Sequence, residues 1–324
     1  MRDGSDIALL EVRLGAVAFE AERVQSYVLE PLYGQSLPPF TAGAHIDLHL
    51  PNGLVRSYSL LNNSQERYRY VIGVQNDPNS RGGSRYMHDT LRLGEILTCG
   101  VPRNSFALYE DAPHSVLIAG GIGITPLLSM IERLATIGRS WELHYACRTR
   151  ARTAFLDRLQ QLAGDHPNRL HMFHAGEAGG ERLDISTLVS RASPDAHLYC
   201  CGPPSMLAAF EQAAANRPAA QNHVEYFAAR DAAAVAGGYH LVLSRSGQEV
   251  AVEPGQTMLA ALLAAGVDVA FACTQGVCGT CETGVLSGVP DHRDAYLTET
   301  ERATNKTVMV CCSGSRTPML VLDL

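Results

Sequence analysis

The sequence predicts a multidomain protein in which an antiparallel β-barrel is followed by a doubly wound α/β domain and a small α+β domain. Three observations predict it: short β-rich runs up to about residue 108, a buried strand, glycine loop and helix between 115 and 134, and a group of cysteines near the C-terminus. At roughly 150 residues per domain, 324 residues allow two or three compact domains.

Composition excludes several classes of protein. Hydrophobic residues make up 46% of the chain and charged residues 18%, so the chain can build folded cores and is not a disordered, highly charged polymer. The net charge of -7 argues against a nucleic-acid binder that works by neutralising phosphates. The sequence contains no run of 18 apolar residues, so it predicts no membrane-spanning helix. The first six residues carry mixed charge without an apolar leader core, so we expect a cytoplasmic protein.

The first domain, predicted over 1–108, is the barrel. Alternating or β-rich runs at 46–50, 55–61 and 68–74 are punctuated by Gly, Pro and Asn. Short strands bounded by turn residues at this spacing are typical of small antiparallel barrels.

The second domain, predicted over 109–228, begins with a strand at 116–119, a glycine loop and a helix from Pro126. Further buried strands at 143–146 and 198–201 alternate with helical patterns, which indicates a doubly wound α/β sheet. An Ala-rich stretch, 229–238, is interpreted as a linker to a last domain at 239–324.

The cysteine spacing is the strongest signal in the chain. Cys273-x4-Cys278-x2-Cys281, with Cys311 some 30 residues later, is the plant-type spacing for a 2Fe-2S cluster. Gly276 and Gly279 allow the backbone to approach such a cluster. The alternatives are a zinc site or unrelated thiols, and zinc sites favour paired C-x2–4-C groups. Cys312 competes with Cys311, and strand alternation would let only one of them serve; we choose Cys311.

A glycine loop follows the first strand of the α/β domain. Gly120, Gly121 and Gly123 precede a helix, where backbone amides and the helix dipole can receive a pyrophosphate. The loop is not the G-x-G-x-x-G fingerprint, and a tight turn is the alternative. The segment Cys201-Gly202-Pro203 follows another strand, so the two segments outline one crevice at the carboxyl ends of the strands.

Two polar segments of the barrel, 56–59 and 81–84, fit a flavin and its phosphate. They combine cations, hydroxyl groups and an aromatic ring with backbone amides. A polar strand end or a solvated loop is the alternative for either one alone. The flavin-site candidates are Arg56, Ser57, Tyr58, Ser59, Val74, Arg81, Gly82, Gly83 and Ser84.

In this order, the motifs Arg56-x-Tyr58-Ser59, 120–126, Cys201-Gly-Pro203 and the C-terminal cysteines resemble the phthalate dioxygenase reductase and vanillate O-demethylase reductase family. The resemblance covers essentially the whole chain. It implies an FMN barrel, an NAD domain and a ferredoxin-like β-grasp domain with a 2Fe-2S cluster. One departure is visible: the family commonly continues Cys-x-Ser-Arg after the fourth ligand, whereas Ser313 is followed here by glycine.

The resemblance also assigns roles to single residues. It implies that Ser59 lies near flavin N5 and that Thr125 and Cys201 flank the nicotinamide. Glu225 occupies the place of a residue near the flavin, with an exposed strand-end glutamate as the alternative. FAD remains an alternative to FMN. Arg148, in an arginine-rich loop at 148–152, is a candidate for the nucleotide; these arginines suit a 2′-phosphate or a solvated loop, and the resemblance favours NADH.

The predicted function is that of an NADH-dependent iron-sulfur flavoprotein, the reductase component of a Rieske-type aromatic oxygenase or O-demethylase system. A hydride carries two electrons, whereas a 2Fe-2S cluster accepts one at a time. A flavin between them can accept the electron pair and pass the electrons on singly. The alternatives are a reductase for a cytochrome P450 or another monooxygenase, a non-catalytic redox sensor, and a zinc-binding module. We expect a monomer whose partner is a separate oxygenase. Asp291, Asp294 and Glu299 are candidates for steering its docking, with a solvated surface face as the more usual alternative.

Overall fold

The computed structural model describes residues 8–324, apart from the side chain of Pro167. The N-terminal segment, 1–7, from which the cytoplasmic location was predicted, lies outside the described residues. The chain divides into two compact units, a first that ends at Glu225 and a second, Tyr226–Leu324.

The first half of the first unit is an antiparallel barrel. Its strands are β1 (Leu9–Ala21), β2 (Val24–Pro31), β3 (His45–His49), β4 (Val55–Ser59), β5 (Tyr70–Gln75) and β6 (Ile96–Gly100). They pair in the order β4-β3-β6-β1-β2-β5, and a bridge between Leu60 and Ile72 closes the sheet. Alternation along the strands buries Val12 and Leu14 inside the barrel. The predicted barrel is therefore confirmed.

A short helix, α1 (Gly83–Asp89), follows β5. The sequence predicted a loop over 81–84, but the loop ends at Gly82, whose φ of 96° places it in the left-handed region at the start of the helix. Gly83 and Ser84 are thus the first residues of α1.

The second half of the first unit is a parallel sheet. Its strands are β7 (His114–Gly120), β8 (Ser140–Cys147), β9 (Leu170–His174), β10 (His197–Cys201) and β11 (Asn222–Glu225), and its helices are α2 (Ile124–Thr136), α3 (Leu156–Ala163), α4 (Ile185–Arg191) and α5 (Pro204–Ala214). The order is β11-β10-β7-β8-β9. Because the chain runs outward from β7 on one side and later returns to β10 on the other, the strand order reverses between β7 and β10. That switch point is where α/β sheets bind ligands.

Barrel and parallel sheet share one core. Leu61 and Val71 of the barrel lie in the same buried cluster as Leu117, Leu127 and Tyr199 of the α/β part. Cys99, Cys147 and Cys200 are buried, as expected for small apolar side chains without an assigned role.

The second unit is a mixed sheet crossed by a helix, which confirms the predicted β-grasp domain. Its strands are β12 (Tyr239–Leu243), β13 (Glu249–Val252), β14 (Glu282–Ser287), β15 (Pro290–Asp291), β16 (Thr307–Met309), β17 (Gly314–Ser315) and β18 (Met319–Leu322), and its helices are α6 (Met258–Ala264) and α7 (Glu299–Thr304). The main sheet has the order β13-β12-β18-β14-β16, with β12 and β18 parallel.

Within the stretch predicted as a linker, the amides of Ala234 and Gly238 donate to Cys312 and Val252 of the second unit. Among the described residues, no helix has the length and apolar character that crossing a lipid bilayer requires.

Candidate active site and iron-sulfur centre

The glycine loop and the loop after β10 pack directly on each other at the switch point of the parallel sheet. A Cβ on Gly120 would come within 2.5 Å of Pro203 Cδ, and a Cβ on Gly123 would overlap the carbonyl oxygen of Cys201. A Cβ on Gly202 would in turn lie 3.1 Å from the backbone of Gly120. Glycine is required here because two backbones meet. The two loops predicted to outline the crevice therefore meet at the carboxyl ends of β7 and β10.

Within the glycine loop, Gly121 has free space on its outer side. Gly121 has a φ of +52°, and nothing lies closer than 4.0 Å to the place of its Cβ. Its carbonyl is turned inward, where it accepts a hydrogen bond of 3.0 Å from the Tyr145 hydroxyl. The following helix α2 begins at Ile124, so its first amides face the same end of the sheet.

Three predicted catalytic residues meet beside this crevice. Glu225 ends β11 directly opposite Cys201 in β10, and the Cys201 thiol donates to Oε2 of the Glu225 carboxyl group over 3.9 Å. The Ser59 hydroxyl, at the end of β4, also contacts this carboxyl group. Barrel and α/β strands thus bring together residues more than 140 positions apart in the chain.

Burial controls the protonation of this group. Glu225 is partly exposed as a residue, but its carboxyl is enclosed. Enclosure raises the pKa of Glu225 to about 8, although the Ser59 hydroxyl and the Cys201 thiol act in the opposite direction. Burial likewise raises the pKa of Cys201 well above its usual value. At neutral pH both groups therefore hold a proton, and the exposed-glutamate alternative is wrong.

Thr125 lies at the seam between barrel and sheet. Its hydroxyl donates to the Ile122 carbonyl over 3.0 Å, and the residue is 2% exposed. Its methyl group would be 2.7 Å from a Cβ on Gly73 in β5, so the seam is close-packed there.

The predicted phosphate residues of the flavin site converge. The Arg56 guanidinium donates to the carbonyl oxygen of Arg81 over 3.1 Å, and Arg56 lies against Gly83 at the start of α1. A cation thus adjoins the first amides of a short helix, which is a donor set suited to one phosphate.

The remaining flavin-site candidates make contacts within the barrel. The Ser57 hydroxyl donates to Asp47 over 2.6 Å, and Asp47 in turn pairs with Arg103. Tyr58 and Val74 pack in the barrel core, and Ser84 accepts a hydrogen bond from the Asp77 amide.

The arginines of the loop after β8 differ in their contacts. Arg152 pairs with Glu22 of the barrel at 3.2 Å, while Arg148 is exposed at the end of β8. The Arg150 amide donates to Glu177 over 2.6 Å. Of the loop's guanidinium groups, that of Arg152 is held by the barrel.

The cysteine ligands predicted for the cluster are all buried in the second unit. The thiol of Cys281 contacts the thiol of Cys311 and lies in the electrostatic range of Cys278. The amide of Gln275 donates to Cys273 Sγ over 3.3 Å, and Thr280 Oγ1 lies 3.1 Å from Cys278 Sγ. Such donors onto ligand sulfurs are the hydrogen bonds that tune an iron-sulfur cluster.

The two adjacent cysteines point in different directions. The prediction relied on strand alternation, but β16 ends at Met309 and both cysteines lie in a turn. Cys311 turns to Cys281, whereas Cys312 turns to Gly276 and lies 3.8 Å from the Met309 carbonyl. The turn separates the thiols without alternation, and its geometry favours Cys311 as the ligand.

Asp294 has a structural part in the cluster loop that the sequence reasoning missed. It is 0% exposed, so it does not serve as a docking residue, and that prediction is wrong. Its carboxylate accepts from the amides of Tyr296 and Leu297 at 3.2 and 2.8 Å, and Arg302 pairs with it. The next amide, of Ala295, donates to the Gly276 carbonyl over 2.9 Å. A buried carboxylate with local amide donors thus anchors the loop that carries Gly276.

The comparisons with known proteins agree with this geometry. Residues 117–212 match the oxidoreductase NAD-binding domain, and residues 241–315 match the 2Fe-2S iron-sulfur cluster binding domain. The chain is 36% identical to the solved structure of phthalate dioxygenase reductase, covers 98% of both chains, and superposes with a TM-score of 0.74. The chain belongs to the phthalate dioxygenase reductase family.

Other members of the family share this length. The chain is 50% identical to phenoxybenzoate dioxygenase subunit beta of Ectopseudomonas oleovorans over all of both chains. It is 44% identical to vanillate O-demethylase oxidoreductase of Pseudomonas putida over 94% of this chain and 96% of that one. The chain also matches 43% of the length of a type IV self-sufficient cytochrome P450 monooxygenase, with 36% identity and a TM-score of 0.86.

The protein is an NAD-dependent iron-sulfur oxidoreductase of this family, with an NAD-binding domain and a 2Fe-2S cluster domain. The residues described above fit the cofactors of such a protein. The glycine loop and the loop after β10 meet at the switch point of the sheet, and Arg56 meets the start of α1. The four cysteines are buried, and the Gln275 amide and the Thr280 hydroxyl contact two of their sulfurs.

Proposed function

We propose that this protein is the reductase component of a two-component, Rieske-type oxygenase system that acts on an aromatic compound. The observation that carries the proposal is that one chain joins a crevice lined by Ser59, Cys201 and Glu225 to a buried four-cysteine centre. The names of the dioxygenase and O-demethylase relatives support an oxygenase as the electron acceptor. We propose that the protein acts as a monomer with a separate oxygenase.

We assign the parts of the chain as follows. Residues 1–108 hold FMN and 109–228 hold NADH, with 229–238 as the connection to the cluster domain at 239–324. Cys273, Cys278, Cys281 and Cys311 hold the cluster. Bound together, the cofactors turn a two-electron hydride donation into single-electron deliveries.

The protein's own residues orient and protect this transfer. The buried Cys201 thiol and the close-packed Gly120–Pro203 contact lie together at the carboxyl ends of β10 and β7. Glu225 holds a proton beside the Ser59 hydroxyl. The pair therefore forms a short polar path from the enclosed carboxyl to the barrel face on which Ser59 lies.

The function is tested by mixing the purified protein with NADH under anaerobic conditions. We expect both the flavin absorbance and the cluster absorbance to bleach, and we expect steady reduction of cytochrome c when that acceptor is added. NADPH at the same concentration should be the slower substrate. A cofactor-loaded preparation that does not bleach would contradict the proposal and leave a redox sensor as the better interpretation.

A reductase for a cytochrome P450 is the second candidate, favoured by the match to the self-sufficient monooxygenase. The two are separated by reconstitution with an oxygenase of either class encoded beside this gene. Hydroxylated product with the Rieske oxygenase alone supports the proposal, and product with the P450 alone supports the second candidate.

The substitution Arg56→Ala should weaken FMN binding at least about tenfold, because charge-assisted hydrogen bonds to phosphate are worth roughly 1.5–3 kcal/mol each. Fluorescence titration of the flavin-depleted protein with FMN and with riboflavin measures this. Riboflavin has no phosphate, so its affinity should change little. Equal losses for both ligands would show that Arg56 acts on the fold of the barrel and not on the phosphate.

A further inference from the structure

A second group of metal-ligating side chains lies on the parallel sheet, away from the crevice. We define the His–Glu cluster as His114 of β7, Glu142 and His144 of β8, and His171 of β9. His144 and His171 are direct neighbours across the strand pair, and Glu142 lies two residues before His144, on the same face. His114 begins β7, and Glu142 and His144 are the third and fifth residues of β8, whereas the crevice was predicted at the carboxyl ends of β7 and β10.

The distances within the cluster are close to those of a coordination sphere. The ligand atoms of Glu142, His144 and His171 all lie within 4.8 Å of one another. Glu142 Oε1 is 3.5 Å from His144 Nε2 and 3.8 Å from His114 Nε2. Ligand atoms about 2.0–2.1 Å from a tetrahedral zinc ion lie about 3.4 Å apart. Small side-chain rotations would therefore bring these ligand atoms to the spacing of a tetrahedral zinc site.

The outer contacts hold two of the imidazoles in place. His114 Nδ1 lies 2.8 Å from the Ser140 hydroxyl, and His171 Nε2 lies 3.1 Å from the Asn168 carbonyl. A ring nitrogen bonded to a carbonyl is the protonated one, so His171 keeps a lone pair on the other nitrogen. Metal-binding histidines are held by outer partners in the same way.

His144 supplies the observation that points to a ligand. The residue is 9% exposed, and its buried Nε2 makes no hydrogen bond of ordinary geometry among the described residues; the Glu142 carboxylate lies 3.5 Å from it as an ion-pair contact. Its ring stacks on His171 with centroids 4.4 Å apart and planes 9° apart, so the nitrogen is held in its position. Buried polar atoms in native proteins nearly always have a partner, and each exception requires an explanation.

The donor set of the cluster suits a cation. The Glu142 carboxyl supplies an oxygen between two imidazoles, with Oε1 3.8 Å from His114 Nε2 and 3.5 Å from His144 Nε2. Imidazole nitrogens select zinc and its transition-metal neighbours over calcium and magnesium, which require oxygen ligands.

We propose that the His–Glu cluster is a binding site for a divalent ion of the zinc class, with Glu142, His144 and His171 as ligands and His114 as the fourth. Such an ion would join the edge strand β9 to β8 and β7 and would stabilise the folded state by binding to it. The site is structural, since it lies away from the crevice.

The test is calorimetric titration of the flavin- and cluster-loaded protein with ZnCl₂. We expect one zinc ion per chain without loss of iron, and a rise in the thermal unfolding midpoint. The variants Glu142→Gln and His171→Gln should each bind zinc at least about tenfold more weakly, since even outer partners of metal ligands are worth about 10–100-fold. Both residues are partly exposed, and intact flavin and cluster absorbance verifies that the variants fold.

His166→Gln is the matched control, because His166 is an exposed histidine of the same domain outside the cluster. It should bind zinc as the unmodified protein does, and all three variants should keep the NADH–cytochrome c activity. Three results would overturn the proposal. They are no zinc uptake by the unmodified protein, zinc binding by both cluster variants that equals that of the unmodified protein, and zinc uptake that is matched by a loss of iron.

Discussion

The substitution Cys311→Ser is expected to remove the visible absorption of the 2Fe-2S cluster and to lower NADH-driven cytochrome c reduction at least about a hundredfold, since the loss of a metal ligand exceeds the roughly 10–100-fold effect of outer partners. Cys311 contacts Cys281 in the second unit, so its loss opens the four-thiol centre. The crevice lies in the first unit, and reduction of ferricyanide by NADH should be largely retained. Absorption spectra, iron content and the two acceptor assays measure these effects.

Cys312→Ser is the matched control, because it changes the same atom one residue further along the chain. Cys312 turns to Gly276 and the Met309 carbonyl, so its substitution should keep the cluster and both activities. Loss of the cluster in Cys312→Ser with retention in Cys311→Ser would reverse the ligand assignment. Loss of both acceptor activities in a folded Cys311→Ser protein would contradict the division of work between the two units.

Much of the fold could be predicted because its signals are local. Period-two runs indicate the barrel strands, and a strand, glycine loop and helix indicate the start of the α/β sheet. Cysteine spacing is also a local signal, and it is sufficient to locate the cluster segment. The prediction for 81–84 was less accurate, since the left-handed Gly82 turns the expected loop into the first turn of a helix.

The candidate site depended on contacts that spacing does not encode. The sequence places Glu225 at a strand end, but only the register of β11 on β10 sets it opposite Cys201, and only barrel packing brings Ser59 to its carboxyl. The His–Glu cluster has the same origin, because His144 and His171 become neighbours through the pairing of β8 with β9. Charge alone suggested a surface position for Asp294, either in docking or on a solvated face, and its burial contradicts both interpretations.

The substitution Glu225→Gln should flatten the dependence of stability on pH. Because the pKa of Glu225 is raised to about 8 from an ordinary value of 4.5, the folded protein holds this proton more tightly than the unfolded chain. The resulting stability is fully present below pH 4.5 and is lost as the pH rises through 8. Linkage gives a loss of about 3 kcal/mol in the free energy of unfolding between pH 6 and pH 9, and glutamine, which does not ionise, should not show it.

Denaturant unfolding of the first unit at fixed, saturating FMN measures this difference, and Glu181→Gln is the control because Glu181 is an exposed carboxylate. The control should follow the unmodified protein, since an exposed carboxylate is ionised throughout this range. Only Glu225→Gln should separate from them above pH 7, with higher relative stability as the pH rises. Parallel curves for all three proteins would mean that Glu225 is already ionised at neutral pH, and the Ser59–Glu225 pair would then hold no proton to pass along its path.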